Sequence, residues 1–285
     1  MRSADHYTFN ALQELSSPLR DNIGRAIVSL SHFLTVFLDR PFEIVRLARI
    51  LVALLEAGCS IKTPIFLDAI NHIVQGQYKD GGWSDPEETA FALAAIGRIE
   101  GYHGPKVRAA ERWLASNRKP GGGWGRHPRD QARITTTALI SVLAPSAFIT
   151  EDRTFLINNW KRDFLGSVRL SYKAGFFLLA MAHDHRKELV TETIAYLAQD
   201  QNPDGGFAPW QGHPICSDAW STGVVLWGLS RWIGMVDKAV IQKAISWLER
   251  TQLPSGYWPY HYLDDGTSLA LIGAVSVMKA LASVE

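Results

Sequence analysis

Only two cysteines, Cys59 and Cys216, occur in the 285 residues, so the sequence carries neither a disulfide framework nor a multi-cysteine metal cluster, and the pair suits a reducing compartment. Neither sign of charge is in surplus. Twenty-nine Lys and Arg against 28 Asp and Glu give a formal net charge of +1 with the signs interspersed, which excludes the basic footprint of a nucleic-acid-binding chain. Strand-like alternation is nearly absent, and no Ser/Gly-rich linker or charge run divides the chain, which predicts a single domain over residues 1–285. The N-terminal Met-Arg-Ser-Ala-Asp-His leads into polar residues rather than a signal core, and no run approaches the roughly 20 apolar residues of a membrane span. The expected location is cytoplasmic. The apolar-leaning stretch Ala26 to Leu38 packs as a helix or else rests on a bilayer surface as a peripheral contact.

What is present is 47% apolar content with helical periodicity, enough to bury a sizeable all-α core. Breaks at Gly and Pro clusters predict helices near 18–39, 42–57, 63–76, 88–99, 105–117, 133–144, 151–163, 169–183, 187–200, 220–233, 237–251 and 267–283. Four Gly-rich turns end in an aromatic, at Trp83, Trp124, Phe207 and Trp258. Three fit Gln-x-x-x-Gly-x-Trp/Phe: Gln77, Gly81 and Trp83; Gln201, Gly205 and Phe207; Gln252, Gly256 and Trp258. The turn at Trp124 carries Arg118 in place of the glutamine. A repeat of about 40 to 50 residues implies stacked helical hairpins, none able to bury its apolar face alone. Six such hairpins make an (α/α)6 barrel, with a hairpin over 18–57 completing the ring and the repeats spanning 63–283. Each aromatic plugs the gap between hairpins, and the following threonine (Thr89, Thr136, Thr222, Thr267) is expected to N-cap an inner helix. Inner helices run parallel, so the loops before those threonines converge on one mouth, where helix N-termini favour anions.

These turns resemble the QW repeats of the terpene cyclase and prenyltransferase superfamily, more closely its squalene-hopene and class II diterpene cyclases than its protein prenyltransferase β subunits. The resemblance implies an enzyme that protonates and cyclises a linear isoprenoid, without a resident cofactor; Mg2+ would enter only with a diphosphate substrate. Class II members carry D-x-D-D-T at an inner helix start, the middle aspartate being the proton donor. Here the corresponding segment reads Asp218, Ala219, Trp220, Ser221, Thr222, with tryptophan at the donor position. The zinc pattern of the prenyltransferases is absent, although His213, Cys216 and Asp218 lie together.

Other carboxylates stand at the mouth. Asp264 and Asp265 follow His261 among aromatics, and Asp85 and Glu87 precede Thr89; adjacent acids disfavour double ionisation, so one can hold a proton near neutrality. Asp265, assisted by Asp264 and His261, is the leading donor, with Glu87 and Asp85 as substitutes. Arg126, Arg129 and Arg133, with His127 beside them, suit a diphosphate. Trp220, Trp227, Tyr260, Tyr262, Tyr172, Phe176 and Phe177 are candidates to line a cavity and stabilise a carbocation. A non-catalytic barrel that binds a lipid or a partner chain, and an α/α-barrel glycosidase with paired carboxylates, are the alternatives.

Overall fold

The computed structural model describes residues 17–38, 44–100, 104–127, 129–166, 169–182 and 187–283. Among the described residues there are twelve α-helices, two short 3-10 helices and no strand. The α-helices are α1 (Ser17–Phe37), α2 (Ile44–Glu56), α3 (Pro64–Gln75), α4 (Pro86–Glu100), α5 (Pro105–Ser116), α6 (Ile134–Leu143), α7 (Thr150–Leu165), α8 (Ser171–Ala180), α9 (Lys187–Asp200), α10 (Ala219–Ser230), α11 (Lys238–Thr251) and α12 (Leu263–Ala282). The chain clusters into two compact units, one of Met1–Phe33, Ala53–Ser60 and Arg169–Glu285, the other of Leu34–Val52 and Ile61–Val168.

Within each unit two kinds of helix alternate. In α11 the buried residues are Val240, Ile241, Ala244, Trp247 and Leu248, a single stripe at helical spacing, which marks an outer helix with one face in solvent. In α10 every residue except Trp220 is buried, which marks an inner helix enclosed on all sides. Glycine lets the inner helices of the first unit touch through their backbones. A Cβ on Gly273 would lie 2.2 Å from the carbonyl oxygen of Gly223, and one on Gly228 would lie 2.2 Å from that of Gly175, so α8, α10 and α12 meet where no side chain fits. By length and composition α12 qualifies as a membrane span, contrary to the expectation that no run approaches that limit; 67% of its apolar window is buried inside the protein, as in a core helix.

The repeat residues staple inner helix, turn and next outer helix together. Trp83, Trp124, Phe207 and Trp258 are at most 2% exposed, and the indole N–H groups of Trp83, Trp124 and Trp258 donate to the carbonyls of Ile73, Leu114 and Leu248 at 2.7–3.0 Å. Each turn glutamine donates twice: Gln77 to Gly81 and Lys106, Gln201 to Gly205 and Val240, Gln252 to Gly256 and Asn22. Gln252 thus reaches α1 as the others reach the following outer helix, so the first helix of the chain serves the last turn. Tyr257 and Ser29 reinforce that junction.

The threonines do something other than cap. Their hydroxyls accept the backbone N–H of the aromatic: Thr89 from Trp83, Thr137 from Trp124, Thr222 from Phe207 and Thr267 from Trp258, all at 2.9–3.0 Å. They lie inside the helices, and Thr137 rather than Thr136 is the equivalent residue. The position four residues earlier closes the first turn, as Asp85 does for Thr89, Arg133 for Thr137 and Asp218 for Thr222.

At Trp124 the substitution of arginine for glutamine is matched by a second change. The Arg118 guanidinium meets both carboxylate oxygens of Asp152 at 3.0 and 3.1 Å and lies 4.9 Å from the Trp124 ring centroid. Asp152, fully buried, also accepts the N–H groups of Gly123 and Ile149. A buried ion pair with every oxygen engaged replaces a neutral amide.

Candidate functional site

In the first unit, ring contacts gather the starts of three inner helices. Trp220, second residue of α10, meets Tyr172 of α8 edge-on at 5.5 Å and stacks on Tyr260, just ahead of α12, at 6.2 Å and 11°. Phe176, one turn along α8, also meets Trp220 edge-on at 5.8 Å. Tyr260 packs over Gly266, where a Cβ would fall 2.4 Å from its own Cβ. The result is a wall of four rings whose faces can oppose a cation. The other aromatic candidates lie elsewhere: Trp227 and Phe177 are buried core, and Tyr262 is 64% exposed.

The threonine staple supplies a common register. Two residues before it stand Glu87 on α4, Thr135 on α6, Trp220 on α10 and Asp265 on α12. Because α12 begins at Leu263, Asp264 and Asp265 belong to its first turn and not to the loop that the sequence suggests. Asp265 therefore occupies on α12 the position that Trp220 occupies on the neighbouring α10. Its Oδ1 is enclosed by protein. Asp264 is 1% exposed and close enough to Tyr257 that its charge, after burial, pushes the phenol upward. His261 is exposed and its ring lies 5.1 Å from that of Tyr260.

Asp218 serves as the N-cap of α10. Oδ1 accepts the Ser221 N–H at 2.7 Å and Oδ2 accepts the Ser221 hydroxyl at 2.8 Å. Burial pushes its pKa up, while those hydrogen bonds and the nearby His213 pull it back. His213 is itself set by the loop: its Nδ1 accepts the Ile215 N–H at 3.2 Å, and Trp210 meets its ring edge-on at 4.1 Å.

In the second unit the carboxylates have other work. Asp85 accepts the Glu88 N–H at 2.8 Å and Glu88 accepts the Ser84 N–H at 2.9 Å, a reciprocal arrangement that satisfies the free donors at the start of α4. Burial raises the Asp85 pKa, and its hydrogen bonds and His127 oppose the rise. Glu87 forms an ion pair with Arg49 at 3.2 Å, the guanidinium also covering the Phe91 ring at 5.3 Å. Arg126 and Arg129 are exposed, while Arg133 is paired with Asp130 at 3.0 Å. Among the described residues no group of three or more His, Cys, Asp or Glu is placed to hold a metal ion.

Residues absent from the sequence reading are Asp152 and Arg49, whose partners lie 34 and 38 positions away and leave no local signature.

The architecture is the all-α barrel that solved type II terpene cyclases share. The structure of MstE from Scytonema in complex with geranylgeranyl dihydroxybenzoate, its substrate, matches with a TM-score of 0.72 at 15% identity, covering 95% of this chain and 99% of that one. The MstE structure in complex with merosterolic acid A, its product, matches with a TM-score of 0.64 at 16% identity over 97% and 98% of the two chains. In sequence, the chain is similar to drimenyl diphosphate synthase from Streptantibioticus cattleyicolor, at 29% identity over 63% of this chain and 38% of that protein. It is also similar to squalene-hopene cyclase from Zymomonas mobilis, at 23% identity over 67% of this chain and 36% of that protein. The chain thus spans less than two-fifths of the length of those relatives, and no family model matches it.

Proposed function

We propose that the chain is an acid-initiated terpene cyclase acting on a linear prenyl substrate, with Asp265 as proton donor. The observation that carries this reading is the register: Asp265 stands on α12 where Trp220 stands on α10, two residues before the staple threonine, and Tyr260, which stacks on Trp220, packs over the adjoining Gly266. The acid has moved one inner helix along and the vacated position has become part of the aromatic wall. The similarity to cyclases in sequence and fold supports the same reading.

The chemistry follows from these groups. The Asp265 O–H breaks as its proton joins one carbon of the terminal alkene, whose π electrons form the new C–H bond and leave a tertiary cation on the other carbon. The next alkene attacks that cation, forming a ring bond and passing the charge along the chain, until loss of a proton to a base restores an alkene. Ring faces of Trp220, Tyr260, Tyr172 and Phe176 stabilise the passing charge, and prior folding of the chain supplies proximity. Glu87 is engaged by Arg49 in an ion pair at 3.2 Å, which ties it to that partner. No cofactor enters this reaction, and Mg2+ would accompany a diphosphate only as its counterion.

The test is to incubate prenyl diphosphates and prenylated phenols of increasing length with the wild type, Asp265→Asn and Glu87→Gln, and to seek cyclic products by mass spectrometry. The account expects products from the wild type and Glu87→Gln and none from Asp265→Asn. Tight binding of every chain without conversion by the wild type would replace the cyclase with a lipid-binding barrel.

A further inference from the structure

α8 is an inner helix without a threonine staple. Its first turn closes on Leu170, whose carbonyl accepts the Ala174 N–H at 3.1 Å, so Ala174 stands where α4, α6, α10 and α12 place threonine. Counting back two residues from Ala174 gives Tyr172, the partner of Trp220 in register as well as in space. No hydroxyl is available at Ala174 to bind a turn, and something else must set where this helix begins.

Ser171 does so in two directions. Its N–H donates to the carbonyl of Pro209, in the loop ahead of α10, at 3.1 Å, and its hydroxyl donates to the Asp200 carboxylate at the end of α9. Both residues are buried, Ser171 at 0% and Asp200 at 6% exposure. Tyr196 stands one turn earlier on α9, and the Arg169 guanidinium lies 5.9 Å from its ring centroid. Burial pushes the Asp200 carboxyl up and the hydrogen bond from Ser171 pulls it back. A carboxylate desolvated in this way is costly for stability unless its bonds are kept, and the proposed cyclisation makes no use of it as an acid.

We propose that Asp200 is a positioning residue: by holding Ser171 it sets the start of α8, and so the seat of the Tyr172 and Phe176 rings against Trp220. Its consequence for catalysis rests on the cyclase reading above; its consequence for the ring wall does not. Ser171 immediately precedes Tyr172, and Phe176 follows one turn later on the same face, so a shift or rotation of the first turn displaces both rings together.

The test uses the full chain with Asp200→Ala, Ser171→Ala and the double variant, and Asp200→Asn as the conservative form that keeps an acceptor oxygen. Emission from Trp220 is isolated by subtracting the spectrum of the same variant carrying Trp220→Phe. Asp200→Ala and Ser171→Ala should each shift that emission to the red and raise its quenching by acrylamide about twofold or more, the double variant should add nothing further, and Asp200→Asn should restore the wild-type signal. With prenyl substrates the two alanine variants should raise the share of partly cyclised products several-fold, at unchanged helical circular dichroism. Unchanged Trp220 emission in folded Ser171→Ala overturns the proposal, and a moved emission with unchanged products overturns its catalytic half. A moved emission in a protein whose wild type converts no prenyl chain leaves the positioning intact and removes the cyclase reading.

Discussion

Glu87 and Asp265 stand at one register on two inner helices, two residues before the threonine that staples each helix to its turn, yet their surroundings differ. Glu87 forms an ion pair with Arg49 at 3.2 Å. Asp265 follows Asp264 in the first turn of α12 and precedes Gly266, over which Tyr260 packs while it stacks on Trp220. The repeat supplies a position; the neighbours decide whether a carboxyl there keeps its proton. The same lesson holds for Asp85 and Asp218, whose oxygens are taken up by the starts of α4 and α10.

The comparison is broken most directly at its two ends. Asp265→Asn should lower cyclisation by about 10²–10⁴, the usual worth of a positioned general acid, while Glu87→Gln should leave turnover within about threefold in steady-state assays. Equal losses in the two variants would erase the distinction. The turns offer a parallel contrast. Asp152→Ala strips Arg118 of its partner and two backbone donors of their acceptor, and should cost about 3–5 kcal/mol in denaturant unfolding. Gln201→Ala, at a neutral turn, should cost about 1–3 kcal/mol. A smaller effect sharpens the view of the caps. Burial raises Asp218, so between the ordinary value of 3.8 and its raised pKa the folded chain holds a proton that the unfolded chain has released. Stability from this group therefore falls as pH rises through that window, and Asp218→Asn, which keeps a capping oxygen, should flatten the slope in unfolding measured across it. The two thiols differ as well: burial pushes Cys59 to about 11 while Cys216 is exposed, so iodoacetamide at pH 8 should label Cys216 first, as mapped by peptide mass spectrometry.

Much of this was legible in the residues. Gly81, Gly122, Gly205 and Gly256 take φ from +84° to +100°, as the tight turns demand, and the aromatics that follow are buried plugs. Helical periodicity, interrupted at Gly and Pro clusters, located the twelve helices of the described residues. What escaped was register and partnership. A threonine ahead of an apolar run looks like a cap, and nothing local reveals that its hydroxyl serves an aromatic N–H between 6 and 15 residues back. Three successive threonines, Thr135 to Thr137, hid which one staples α6. The start of α12 was read four residues late because Leu263, Asp264, Asp265 and Gly266 look like loop; the staple at Thr267 draws them into the helix, and with them the proposed acid. Arg118 with Asp152, and Ser171 with Asp200, are agreements across 34 and 29 residues that only the packed chain displays.

The most direct measurement is deuterium incorporation. The wild type and Asp265→Asn would be incubated in D2O with the prenyl substrate that the wild type converts best, and the products examined by mass spectrometry and NMR. The account predicts one deuterium per cyclised molecule from the wild type, on the carbon that was the terminal alkene, and no labelled product from Asp265→Asn. Cyclised product without deuterium, or equal labelling by Asp265→Asn, would contradict it.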